Sequence, residues 1–385
     1  MTVKVALGEL VTISGGGTPS KKVPEYFTGT IPWVSPKDMK SWDITTSIDR
    51  ITEEAVENSS AKLIEPEAVL LVIRSGVLKH SLPVGINRVP VTVNQDLKAL
   101  RCGDRILPEY LARFLQAKAR SILAHVRGTT ADNIPTASLR QLKVTVPPLD
   151  EQKRIAEVLD RAEALRARRR AALALLDELT LSIFLDMFGD PVTNPEGWPI
   201  RPIVELAENK DSMRVPIKQS DRDERSGKYP YYGSVGIIDD IDDFIYEGPH
   251  LLISEDGKHL ETRNRPIACL ADGQFWVNNH AHVLAANGNA ELVFLAFNLE
   301  MRPLHQFVTG IDQFKLNRKS MDKIPVAVPP IELQQEFAQR IRAIEDQKSR
   351  FEAHLGELGS LFASLQSRAF KGELFGCSLE PVAAD

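Results

Sequence analysis

Cysteine is scarce: the 385 residues hold three, at Cys102, Cys269 and Cys377, odd in number and far apart. That argues against a disulfide framework and a four-thiolate zinc site, leaving core packing as the expected role of reduced thiols. No apolar run approaches the ~20 residues that span a bilayer. The opening MTVKVALGEL lacks the basic segment and apolar stretch of a secretory signal. A soluble, cytoplasmic protein with no membrane partner is expected. Disorder as the main state is excluded by 43% hydrophobic and 26% charged residues, enough for two or three cores.

Motifs that carry catalysis are also missing. Gly15, Gly16 and Gly17 lack the downstream Lys-Ser/Thr of a phosphate loop, so they read as a flexible loop. Asn194-Pro195-Glu196-Gly197 reads as a turn and not as the Asn-Pro-Pro motif of amino-methyltransferases, so methyl transfer would need another chain. His250, His259, His280 and His282, with Asp256, lack zinc-protease spacing and read mainly as hydrogen-bonding surface groups, a metal site being the alternative. Asp239, Asp240, Asp242 and Asp243 lack EF-hand spacing and read as a solvated loop.

What is present is a repeat. Residues 144–159, VTVPPLDEQKRIAEVL, recur as VAVPPIELQQEFAQRI at 326–341, a constant offset of 182. Gly128 falls on Gly310 and Phe188 on Phe370 at that offset, whereas Val93-Asn94 meets Val277-Asn278 at 184. Both copies continue as long helices. Ile155, Val158, Ala162, Leu165, Arg169, Ala172, Leu176, Leu179 and Ile183 step by three and four, the spacing of a coiled-coil seam. Phe337, Arg340, Ile344, Gln347, Phe351, His354, Leu358, Leu361 and Leu365 form a weaker second seam. A Pro-Pro pair precedes each helix, Asp150 can cap the first, and Gly189 and Gly372 are plausible stops.

The remainder reads as mixed α and β. Strands are expected at 68–73, 89–93 and 98–102 with a helix at 108–124, and again at 251–254, 266–271, 274–278 and 282–286 with a helix at 291–301. The resulting division is a first domain at 1–148, a long helix at 149–188, a second domain at 189–328, a second long helix at 329–375 and a disordered tail at 376–385. The fold class is α+β: two mixed α/β domains separated by two long helices that pair as an antiparallel coiled coil, with a pseudo-twofold repeat.

Charge is uneven. Residues 1–150 carry 19 basic and 15 acidic side chains, residues 189–328 carry 15 and 21, and the whole chain has a formal charge of −5. That balance argues against strong unaided binding to DNA. Loop chemistry nonetheless suits nucleic acid. Lys21, Lys22, Trp33, Ser35, Lys37, Arg74, Lys79, His80 and Arg127 offer phosphate and base-edge donors in the first domain. Lys228, Tyr231, Tyr232, Lys258, His259, Arg263, Asn278, Asn279, Arg318 and Lys319 do so in the second. Trp33, Tyr231 and Tyr232 equally suit a core.

Taken in order, LGELVTISGGGTP, GTIPWVSPKDM, GTTADNIP, VPPLDEQKRIAEVL, GDPVTNPEGW, YPYYGSVGIIDDI, LLISEDG, VPPIELQQEF and SRAFKGEL resemble the specificity subunit of type I DNA restriction-modification systems. The resemblance covers nearly the whole chain. It implies a non-catalytic subunit with two target-recognition domains that read double-stranded DNA as a bipartite, asymmetric target. It also implies two modification subunits that methylate adenine with S-adenosylmethionine, and restriction subunits that use ATP and Mg, with no cofactor in this chain. Arg166, Arg168, Arg170, Arg342 and Lys348 on the helix exteriors are candidate docking residues. An autonomous metal-dependent nuclease and a coiled-coil structural adaptor are the alternative functions.

Overall fold

A computed structural model describes residues 3–124, 133–310 and 313–375. The chain divides into two compact units, one built from residues 1–169 and 354–385, the other from 170–353. Among the described residues no helix is long and apolar enough to cross a membrane.

Unit 1 is organised around strands β1 (Val11–Gly15), β2 (Ile31–Val34), β3 (Val69–Val72), β4 (Val84–Asn87), β5 (Thr92–Val93) and β6 (Leu97–Cys102), followed by helix α1 (Pro108–Ala117). Its main sheet runs β1-β6-β3-β4 and ends on the two-residue strand Asp43–Ile44. All four residues of β3 are buried, which is why its sequence is apolar throughout and not alternating. A smaller sheet pairs β2 with β5 in parallel, Trp33 opposite Thr92 and Val34 opposite Val93. Val3–Ala6 pairs antiparallel with Lys143–Val146, leading into helix α2 (Leu149–Phe188).

Unit 2 repeats the plan with β7 (Ala207–Asn209), β8 (Ser226–Gly233), β9 (Gly236–Ile241), β10 (His250–Ser254), β11 (Ala268–Ala271), β12 (Gln274–Val277), β13 (Ala281–Ala286) and helix α3 (Leu292–Met301). One sheet runs β7-β13-β10-β11, with β10 wholly buried. The other contains a parallel pair, β8 with β12, Tyr231 opposite Trp276 and Tyr232 opposite Val277. Ile200–Pro202 pairs with Pro325–Ala327 ahead of helix α4 (Ile331–Lys371), as Val3–Ala6 pairs ahead of α2.

The expected strands are present with shifted bounds: 68–73, 89–93, 266–271 and 274–278 shorten, while 98–102, 251–254 and 282–286 each gain a residue at their start. Of the expected 89–93 strand only Thr92–Val93 forms, because Pro90 has no N–H to give a ladder. The expected helix at 108–124 breaks at Lys118 into α1 and a short helix at Ala119–Leu123.

Within each unit the two long helices run antiparallel. In unit 1 the Arg166 guanidinium lies 5.0 Å over the Phe362 ring, Arg169 Nη2 is 2.9 Å from His354 Nδ1, and Phe370 packs edge-on against Tyr110 and Phe114. In unit 2 Phe184 and Phe188 pack edge-on against Phe337, and Lys348 Nζ is 2.8 Å from Asp177. The seam drifts from the expected positions: Leu165, Leu179 and Leu361 are about half exposed, while Leu159, Ala162, Thr180 and Phe184 are buried. Ala162 and Thr180 are 18 residues apart, five turns at 3.6 residues each. A strict 3.5-residue repeat slides off that line by about 20° per heptad.

The shared Gln of the duplicated string fixes each helix start. Gln152 and Gln334 are both fully buried. Gln152 Nε2 donates to the carbonyls of Pro147 (2.8 Å) and Arg105 (2.9 Å), and its Oε1 accepts from Leu107 N at the start of α1 (2.9 Å). Gln334 likewise donates to Pro329 and accepts from Glu291 N at the start of α3. Each side chain meets an orphan helix-terminal N–H and anchors the short helix to the long one. Gly189 (φ +74°) and Gly372 (φ +80°) follow the two long helices in the left-handed region, the conformation that favours glycine there.

Candidate nucleic-acid interface

In unit 1 the ends of β1, β2, β3 and β5 and the start of β6 meet around one tight turn, Asn94-Gln95-Asp96. Asn94 N donates to Val34 O (2.9 Å), its Oδ1 accepts from Asp96 N (3.0 Å), and its Nδ2 donates to Asp96 Oδ2 (3.0 Å). Asp96 O accepts from Ile73 N and Arg74 N, and Asp96 Oδ1 accepts from Arg74 Nε at 2.7 Å. Ile73 O accepts from Ile134 N, so Asn133 lies beside Arg74. The Arg74 side chain is 47% exposed.

Gly15 ends β1 and Gly16 and Gly17 wall this turn, so the expectation of a flexible loop is corrected. A Cβ on Gly16 would sit 2.0 Å from Val93 O, and one on Gly17 2.4 Å from the Ser60 carbonyl carbon. Gly17 N donates to Val93 O and Gly17 O accepts from Trp33 Nε1. Backbone meets backbone here, and only glycine leaves room.

Unit 2 builds the same corner. Asn278 N donates to Tyr232 O (3.0 Å) and its Oδ1 accepts from His280 N (2.8 Å). His280 O accepts from Glu255 N, Glu255 O from Leu316 N, and Asp256 bridges to Lys315 as Arg74 does to Asn133. Asp256 is thus the counterpart of Arg74, His280 of Asp96 and Lys315 of Asn133. His280 Nδ1 lies 2.6 Å from Asp256 Oδ2.

Beneath this corner lies a buried polar network. His282, 1% exposed, has Nδ1 2.7 Å from Asp211 Oδ2 and donates from Nε2 to Leu316 O (2.8 Å). Arg214 Nη1 donates to Glu255 (2.8 Å) and to Ala281 O (2.8 Å), and Lys315 Nζ is 3.2 Å from Glu255. Burial works to raise the Asp211 carboxyl, yet the His282 hydrogen bond and charge, the Val283 N–H and Arg214 hold it below the ordinary carboxylate range. Glu255 is held low in the same way by Arg214, His282 and Lys315 against its own burial.

Placed on this frame, the expected site residues divide. Arg74 and Ser35 stand at the unit 1 corner, Ser35 bonded through N and Oγ to Asp38. Lys79 and His80 are exposed at the end of the turn that follows Arg74, and Lys21, Lys22 and Lys37 are exposed on loops. Tyr232, Asn278, exposed Asn279 and exposed Lys258 surround the unit 2 corner, with exposed Arg318 and Lys319 just beyond Lys315. Arg127 lies outside the described residues.

Five expected contacts are corrected. Trp33 is buried among Phe27, Ile51 and Ala55. Tyr231 is wholly buried, and its hydroxyl accepts from Ile217 N. His259 is buried with Nε2 2.7 Å from Ser254 Oγ, and Asn278 is buried as the turn-former. Arg263 bonds Arg302 O beside Glu300, on the flank of α3. These groups position the loops and have little or no surface to offer a base. Lys228, exposed and 4.9 Å over Tyr229, sits at the far end of β8 from the corner.

Other expectations shift too. Of the four histidines only His280 is a surface group; His250, His259 and His282 are buried and hydrogen-bonded. Among the described residues no group of three His, Cys, Asp or Glu is placed to hold a metal ion. The acidic run is not simply solvated: Asp239 pairs with Arg222 and Asp242 with Arg225, tying the β8–β9 hairpin to the segment before it. Missed altogether were Asn94, Asp96, Arg214, Glu255 and Lys315. The Asn94 and Asn278 match within the repeat was the one signal able to find part of this set.

The profile of the type I restriction modification DNA specificity domain matches residues 2–174 and 195–357. A stretch of 162 residues is 41% identical to the type I restriction enzyme EcoR124I/EcoR124II specificity subunit of Escherichia coli, covering 41% of this chain and 40% of that protein. A stretch of 230 residues is 26% identical to the MjaIX specificity subunit of Methanocaldococcus jannaschii, covering 54% and 52%. The matched region thus spans about half the length, or less, of these relatives. The fold is similar to that of a type I restriction-modification S subunit from M. genitalium, with a TM-score of 0.62 at 15% identity over 96% of both chains.

Proposed function

The chain belongs to the type I restriction-modification DNA specificity family, and from that membership we propose that it is the sequence-reading subunit of such a complex. Each unit reads one half of a bipartite duplex target, and unlike side chains on like backbones make the target asymmetric. Two modification subunits, supplying S-adenosylmethionine, methylate adenine within the target, and restriction subunits, supplied with ATP and Mg, act when it is unmethylated. The chain itself is non-catalytic and its compartment is the cytoplasm.

The observation that carries this reading is the duplicated corner, with a conformationally fixed Asn turn surrounded by exposed Arg, Lys, Asn and His donors in each unit. Rigid strand ends bearing exposed donors suit base-edge readout, where a small set of aimed side chains discriminates. The modest charge balance fits a subunit whose partners share the grip on phosphate.

The test is reconstitution with the modification subunits, followed by mapping of methylated adenines on a randomised duplex library. A two-part motif with unlike halves is the expected result. Methylation without sequence preference would reject the reading, as would DNA cleavage by the purified chain alone with stoichiometric zinc, the mark of a metal-dependent nuclease.

A further inference from the structure

The two corners share their main strand-end and turn backbone bonds, yet their exposed side-chain pairs place the acid on opposite sides. In unit 1 the strand-end residue is the base, Arg74, and the turn residue the acid, Asp96, 2.7 Å apart. In unit 2 the strand-end residue is the acid, Asp256, and the turn residue the imidazole, His280, 2.6 Å apart. Stability does not explain such pairs. Arg74 is 47% and His280 50% exposed, and exposed pairs contribute at most about 1 kcal/mol.

What each pair leaves unused is more telling. Asp96 takes Nε of Arg74, which fixes the plane of the guanidinium while its two terminal nitrogens have no protein partner among the described residues. His280 takes Oδ2 of Asp256, and Oδ1 has none among the described residues. Position 74 therefore presents a pair of donors and position 256 a lone acceptor. A forked donor matches O6 and N7 of guanine, and a carboxylate oxygen matches the exocyclic amine of cytosine.

We infer that Arg74 and Asp256 are equivalent specificity-determining residues of opposite sense, Arg74 reading a guanine in one half-site and Asp256 a cytosine amine at the corresponding position of the other. Asp96 and His280 are positioning residues that aim them. This inference rests on the DNA-reading function proposed above.

The test uses the complex of the full chain with its modification subunits, methylating a randomised duplex library. Arg74→Gln should relax preference at a single guanine of one half-site by about tenfold to a hundredfold, the discrimination a bidentate contact supplies. The other half-site should be unchanged. Asp256→Asn, which adds a donor beside the acceptor, should move preference at one position of the other half-site from cytosine toward adenine. Thermal melts of both variants should match the wild type, since an exposed pair is lost. An unchanged motif for both variants, or loss of affinity equal on all sequences, would reduce these residues to structural or phosphate-binding roles and overturn the inference. No motif from the wild-type complex would overturn the DNA-reading function itself, a result separable from the first two.

Discussion

His282 and Asp211 form a deeply buried polar pair in unit 2, and what they hold in place is the Lys315 side of the corner. Replacing His282 by Ala removes the nearest partner of the buried Asp211 carboxylate, leaving it Val283 N and Arg214, and strips the Leu316 carbonyl of its donor. A loss of about 3 kcal/mol or more in urea unfolding is expected, the scale for breaking one side of a buried pair. Acid acts on the same residues. Asp211 and Glu255 titrate below their ordinary values of 3.8 and 4.5, so their contribution is full above that range and lost as pH falls through the lower folded values. His259 is also held low, by burial first and then by Arg265, so unfolding takes up a proton as pH falls below 6.5. Stability should thus decline from about pH 6.5 downward, and melts of His259→Gln across pH 7 to 5 should show a flatter profile than wild type. Of the thiols in the described residues, burial pushes Cys102 up to about 12 and Cys269 up to about 11. Neither should be alkylated by iodoacetamide at pH 8 in the folded protein, which mass spectrometry can check. At this scale the sequence was least legible. Arg74, Asp96 and Asn133 have no regular spacing, and only the strand ends bring them together.

The long helices show what a repeat does and does not encode. The string PPLDEQ recurring as PPIELQ marks where each helix starts, and the buried glutamine explains why the last letter is shared. Gln152→Ala and Gln334→Ala should each cost about 1–3 kcal/mol, because an N–H at the start of α1 or α3 is then buried without an acceptor. Gln→Glu at either site should cost more than Ala, since a carboxylate would face two carbonyls at 152 and one at 334; chemical unfolding of the four variants checks the order. The seam was read one step off at Leu165 and Leu179. Periodicity over a few turns cannot separate 3.5 from 3.6, and 40 residues magnify the difference.

For the whole chain, the proposed function makes the long helices a spacer between two readers. Four residues inserted into each would lengthen a helix by about 6 Å, nearly two base pairs of duplex. The methylated motif of the lengthened variant should show a longer gap between unchanged half-sites. An unchanged gap would mean that the helices do not set the distance.

The sequence by itself determined the duplication, the long helices with their glycine stops, the buried strands and the chemical type of the loops, because each leaves a local trace in period, repeat or composition. The tertiary structure alone decided which polar residues are surface and which are scaffold. Trp33, Tyr231, His259 and His282 read like neighbours able to face a ligand, yet they close inward. Arg74 and Asp256 stand at the repeat offset of 182, but it took the backbone bonds shared by their corners to show that they occupy matching places. Burial depends on contacts between residues far apart in the chain, and one linear pattern of polar types is compatible with either side of a loop.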